Sequence, residues 1–138
     1  MGLDSRVQEG TELPPVAYAP CDRQNMIRMA IFLRDTNPLH LDRVYAMEKG
    51  FPDVVQQGNL NVAFLVRLIT DWVGTAGHLE KMAVRLTANV FPGDVLTNGG
   101  RVIRRYRVGD AAYIDCDLRQ QNSRGLQTLS ATATVRLF

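Results

Sequence analysis

Cysteine and histidine are scarce in this chain of 138 residues, two of each, and the scarcity excludes a good deal. Cys21 and Cys116 lie 95 positions apart with no C-x-x-C pair. A disulfide framework or redox motif is therefore missing, and both read as reduced, buried, small apolar side chains. His40 and His78 are 38 positions apart, which is no zinc spacing, and no metal is expected. An excess of one charge is lacking too. Sixteen Lys and Arg stand against 14 Asp and Glu, a net +2, too little for a nucleic-acid binder or a membrane-surface binder. The longest apolar run, residues 62–66, is far short of a bilayer. The opening stretch MGLDSRVQEG has no apolar segment of a signal peptide, and Ser5 is off position for myristoylation. The expectation is a soluble, cytoplasmic protein that needs no cofactor.

What is present suits one globular domain spanning 1–138. Hydrophobic residues make up 46% of the chain, enough for a core without disulfide staples, and there is no repeat, linker or low-complexity tract. Residues 1–13 are polar and read as a loose arm, after which Pro14-Pro15 opens a short apolar segment over 16–19. A helix follows with Asp22 as its N-cap and Met26, Met29, Ala30 and Leu33 on one face. It ends near Asp35, because Pro38 forces Asn37 into an extended conformation. A second helix runs from about 43 to 49, between a capping Asp42 and Gly50. The third, about 59–72, carries apolar residues on most sides and reads as buried; Gly74 and Gly77 end it. The period then changes to that of strands, over 82–90, 95–108 with a bulge at Gly99-Gly100, 112–120, and a final strand. There Leu129, Ala131, Ala133, Val135 and Leu137 alternate with polar residues. Helices first, one of them buried, and then long antiparallel strands define an α+β domain with a helix inside a sheet.

The chemistry concentrates in Asp35-Thr36-Asn37-Pro38-Leu39-His40-Leu41-Asp42. Asp35 and His40 are five apart with a proline stiffening the turn between them, so a carboxylate and an imidazole can converge on one water. The same residues fit a plain Asx-Pro turn with His40 filling space beneath it, and such turns are common. Residue types alone leave both readings open.

This segment, D-x-N-P-x-H-x-D, is followed 18 residues after its histidine by Gly58 at the head of an apolar helix. It resembles the MaoC-like (R)-specific enoyl-CoA hydratases, or hydratase 2. The similarity continues through Ala46, Gly50-Phe51, Trp72-Val73-Gly74 and Pro92-Gly93-Asp94, and covers roughly residues 20–137. It decides between the two readings. The resemblance implies a hotdog fold, a long central helix wrapped by a curved antiparallel sheet. It also implies hydration of trans-2-enoyl thioesters to (3R)-hydroxyacyl thioesters, or the reverse dehydration. Asp35 and His40 would then hold and deprotonate the water, Asn37 would fix the loop, and Gly58 would offer a backbone N–H to the thioester oxygen at a helix N-terminus. Gln57, Asn59 and Asn61 would face the substrate, a thioester of CoA or of acyl carrier protein.

Two departures concern the acyl pocket. Gln57 stands where the family commonly has histidine, and residues 59–64 contain no serine or threonine. The Gln57-Gly58-Asn59 run with residues 70–74 is similar to small MaoC-like subunits that act in hetero-oligomers on bulky, steroid-type CoA thioesters. Arg104 and Arg105 lie in a basic stretch that fits a solvated strand face or, alternatively, a site for CoA phosphates. His78 reads as an exposed loop residue. The resemblance implies a dimer, with itself or with another hotdog chain. The other functions to weigh are a non-catalytic partner subunit of such a pair and an acyl-CoA thioesterase.

Overall fold

The computed structural model describes residues 6–138. Its five strands are β1 (Glu12–Ala17), β2 (Gly77–Leu86), β3 (Thr97–Val108), β4 (Ala111–Gln121) and β5 (Gln127–Leu137). They form one antiparallel sheet in the order β1-β3-β4-β5-β2. Three helices accompany it: α1 (Arg23–Leu33), α2 (Arg43–Glu48) and α3 (Gly58–Val73). Helix α3 packs across β2, β3 and β4. Its Leu65, Leu68, Ile69 and Val73 join Val102, Ile114, Cys116, Leu118 and the inward residues of β5 in the main core. The helix-in-sheet architecture expected from the pattern is present.

Local chemistry explains the boundaries. Asp22 caps α1 by accepting from the Gln24 N–H, and Asp42 caps α2 by accepting from Val44 and Tyr45. Gly50 ends α2 with φ +93°, as a C′ glycine does. At the end of α1 the left-handed position falls to Arg34 instead, φ +52°. Among the described residues it is the one non-glycine with positive φ, and it turns the chain directly into Asp35.

Five expectations are corrected. The described part of residues 1–13 is tied down: Gly10 and Thr11 bracket Val102 with backbone bonds of 2.8 Å each, Val7 packs on the core, and Leu13 is buried. Residues 1–5 lie outside the described residues. The prolines belong to an edge strand, β1, whose register shifts between Leu13 and Val16; lacking N–H groups, they are tolerable at an edge and a bulge. Gly99 and Gly100 pair regularly with Arg119 and Leu118, and the bulge falls at Ile103. A Cβ at Gly100 would overlap the Asp117 carbonyl oxygen, so that glycine serves a close backbone approach. Strand β2 begins at Gly77 and ends at Leu86, which puts His78 on a strand, its ring tilted against Phe138 with centroids 5.4 Å apart.

Helix α3 is also not apolar all round. Asn59, Ala63, Arg67, Thr70 and Asp71 are exposed along its outer side, with Arg67 and Asp71 paired at 3.5 Å. The sheet covers only its inner side within one chain.

Cys21 and Cys116 are free and buried. Burial, aided by Asp94, Asp22 and Asp53 near the first and by Asp115 near the second, pushes both thiols up to about 12. About one in 10⁴ of each is thiolate at pH 8, and the thiolate is the reactive form. Iodoacetamide at that pH should leave the native protein unlabelled by mass spectrometry while modifying both cysteines in denaturant. Rapid labelling of either in the native state would contradict this packing.

Candidate active site

The loop after α1 is built from the turn chemistry of its own side chains. Asp35 Oδ1 accepts from the Asn37 N–H at 3.0 Å, and Asn37 Oδ1 accepts from the Leu39 N–H at 3.0 Å. Asn37 thereby caps the short 3-10 turn Pro38–His40. With Oδ1 occupied, Asp35 Oδ2 faces His40 Nε2 at 3.7 Å. That is too long for a direct hydrogen bond. The other ring nitrogen, Nδ1, lies 2.6 Å from the carbonyl oxygen of Val55. A carbonyl only accepts, so Nδ1 carries a hydrogen, and it is Nε2 that can gain or lose a proton in front of Asp35. The imidazole is mostly covered and the carboxylate more open, with side-chain exposures of 13% and 35%.

Val55 reaches this loop twice, because its N–H also donates to Leu39 O at 3.0 Å. The chain then runs straight into α3. Leu60 and Asn61 donate to Gln57 O. Ahead of them, the N–H groups of Gly58 and Asn59 find no acceptor among the described residues, as the first donors of a helix do. Gln57 makes no side-chain cap. A Cβ at Gly58 would meet only the end of the Leu86 side chain, at 3.1 Å, and Gly58 is not among the positive-φ glycines. What glycine spares here is a crowded contact with Leu86, not backbone strain.

The other residues singled out from the sequence fall differently. Asn37 and Asn59 are exposed. Gln57 and Asn61 are 2% and 3% exposed and are committed inward. Gln57 Nε2 donates to Met26 O in α1 at 2.7 Å, and its Oε1 has no partner among the described residues. Asn61 Oδ1 accepts from Gln56 Nε2 at 2.5 Å. Arg104 and Arg105 are not brought to this place. Arg104 lies over the Tyr106 ring at 4.2 Å, and Arg105 donates to Val7 O at 2.5 Å. The register pairs Arg104 with Asp115, whereas the head of α3 is bonded to Gln120 of the same strand. Five residues of strand make roughly 17 Å.

Sequence reasoning missed Val55, which acts through its backbone and leaves no residue signature. It also missed Gln120. That residue continues the inward series Ile114, Cys116, Leu118, and a polar residue at an inward position was a readable signal.

Neither thiol can serve as a nucleophile in this site, since both are held protonated by burial. Among the described residues no three His, Cys, Asp or Glu side chains cluster to hold a metal ion, and no helix is long and apolar enough to cross a membrane. A long helix laid on an antiparallel sheet in this order is the hotdog fold. Residues 6–114 match the model of the MaoC-like domain, and the chain belongs to that family.

The chain is 29% identical over 111 residues to the peroxisomal enoyl-CoA hydratase 2 of Arabidopsis thaliana. The match takes in 69% of this chain and 36% of that protein, so the chain spans about a third of its relative's length. Among solved structures, the (R)-hydratase of A. caviae involved in PHA biosynthesis superimposes with a TM-score of 0.85 at 20% identity, covering 98% of this chain and 100% of that one. The ChsH1-ChsH2 complex of Mycobacterium tuberculosis gives 0.81 at 22%, again over 98% and 100%. PhaJ1 of Pseudomonas aeruginosa gives 0.79 at 22%, over 94% of this chain and 80% of that one.

Proposed function

We propose that this chain hydrates trans-2-enoyl-CoA to the (3R)-hydroxyacyl thioester and catalyses the reverse dehydration. One observation carries the reading: the facing of Asp35 Oδ2 and His40 Nε2 at 3.7 Å, with His40 Nδ1 committed to Val55. Two acceptors so placed can each take one hydrogen of a single water standing off the line between them, about 2.8 Å from both. The water's oxygen attacks C3 while one of its protons passes to the Asp35/His40 pair, and C2 receives a proton from the same pair. Electrons pushed from C3 accumulate on the thioester oxygen. The Gly58 N–H, at the positive end of α3, is the donor that meets them. Dehydration runs the same steps backwards and expels the water. The family membership and the names of the hydratase relatives support this chemistry.

Asp35→Asn and His40→Ala should each lower hydration of a short enoyl-CoA by about 10²–10⁴-fold, the scale of a general acid–base contribution, with melting near the parent. A stable variant with parental turnover would remove that residue from the mechanism. Release of free thiol without hydration, in the parent, would instead point to a thioesterase. Chiral analysis of the product should show the 3R alcohol; mainly 3S product would sink the hydratase 2 assignment whatever the rate. The Gln57-Gly58-Asn59 run makes a bulky, steroid-type enoyl-CoA a member of the substrate panel alongside crotonyl-CoA. Acyl carrier protein thioesters are tested beside CoA esters.

We further propose that the chain works as a pair, with a second copy of itself or another hotdog chain. Helix α3 keeps Leu60, Val62, Phe64 and Val66 only half-buried, and β2 at the sheet edge is exposed along most of its length. Light scattering should give at least twice the 15.4 kDa of one chain; a stable, active monomer would refute the pairing. Two reduced cysteines suit a reducing compartment, the cytoplasm.

A further inference from the structure

The head of α3 has little of its own to hold it. Gln57 contributes no side-chain cap, Gly58 has no side chain, and glycine is a poor helix former. Yet an oxyanion donor works only when its N–H is aimed to within a few tenths of an ångström. A buried polar network supplies the missing restraint. Gln56 Nε2 donates to Asn61 Oδ1, which closes a ring around the segment containing Gly58. Gln120, fully buried on β4, then pins that ring to the sheet. Its Nε2 donates to Asn61 O and to Asn98 Oδ1, each at 2.8 Å. Its own Oε1 accepts from Thr128 Oγ1 at 3.0 Å. Asn98 donates onward to Leu96 O at 3.3 Å.

These five side chains are at most 3% exposed. Burying so many amides costs free energy that apolar residues would not, and a satisfied network returns rigidity and a unique placement. Of the five, only Gln120 joins the helix head directly to a central strand, and Ile114, Cys116 and Leu118 lock that strand into the core on the same face.

We infer that Gln120, assisted by Gln56, is a positioning residue of the active site: through Asn61 it fixes the direction of the Gly58 N–H. The inference rests on the oxyanion role proposed for Gly58.

The test is a double-mutant cycle with purified protein and crotonyl-CoA. Gly58→Pro deletes the N–H at the first helical position, where proline is well accepted, and Gln57 at φ −57°, ψ 133° already has the conformation a following proline requires. It should lower kcat by about 10²–10³-fold while melting near the parent. Gln120→Met, which keeps length and volume but donates nothing, should lower kcat by about 10-fold or more and leave KM within about twofold, as a misaimed group does. In the Gly58→Pro background Gln120→Met should cost nothing further, because the donor it aims is gone. Losses that multiply, a KM that rises at constant kcat, or a Gln120→Met protein with parental kcat would each overturn the inference. Should Gln120→Met fail to fold, Gln56→Met enters the same cycle and must show the same non-additivity. Parental kcat in Gly58→Pro would instead bring down the oxyanion reading itself, a result distinct from additive losses.

Discussion

The bond from His40 Nδ1 to the carbonyl of Val55, 2.6 Å long, settles which nitrogen of the ring faces Asp35, and it does so with backbone. The acceptor belongs to a four-residue stretch, 55–58, in which each residue attends to a different part of the site. Val55 holds the loop of the histidine at two points. Gln56 is bonded to Val90 through its N–H and to Asn61 through its side chain. Gln57 fastens Met26 of α1, the helix that leads into Asp35. Gly58 begins α3. Without this stretch the carboxylate, the imidazole and the helix end would be carried by three separate elements with no common reference. Its four consecutive peptide units tie them together.

That arrangement also explains the polarity of its surroundings. A segment with no regular partners along it must satisfy its N–H and C=O groups one at a time. Leu39, His40, Val90 and Leu60 do so for residues 55–57, and beside them the side-chain amides of Gln56, Asn61, Asn98 and Gln120 form a bonded network within a largely apolar core. That network lies at the helix end, which is also the end where negative charge would gather in the proposed reaction.

Much of this was legible in the residues. The caps at Asp22 and Asp42, the glycine ends of α2 and α3, and the alternation along β5 are short-range signals, and each element lies within a few residues of where they put it. The Asp35/His40 loop was legible because its turn chemistry is local. What stayed hidden depends on partners distant in sequence. Strand β1 is disguised by Pro14-Pro15, which speak against a strand until an edge position is known. The true bulge at Ile103 answers to the pairing of β3 with β4, and Gly100 to a carbonyl across the ladder. Gln57 and Asn61 looked like groups reaching for substrate, because their types and place in sequence suit that task. Met26 of α1 holds Gln57 inward, and Gln56 and Gln120 hold Asn61.

The two prolines of β1 have one more consequence. An edge strand recruits a neighbour through a row of N–H and C=O groups, and β1 lacks two of its six donors and is bent by a register shift. At the far side of the sheet β2 also shifts register once, between Leu79 and Lys81, but it is ten residues long and contains no proline. The sheet therefore has one receptive margin and one that refuses a neighbour. Association by strand continuation can use the first only once. If the pairing proposed above proceeds in this way, it ends in a closed twofold assembly, and the open, repeating filament that two receptive margins would permit is disfavoured.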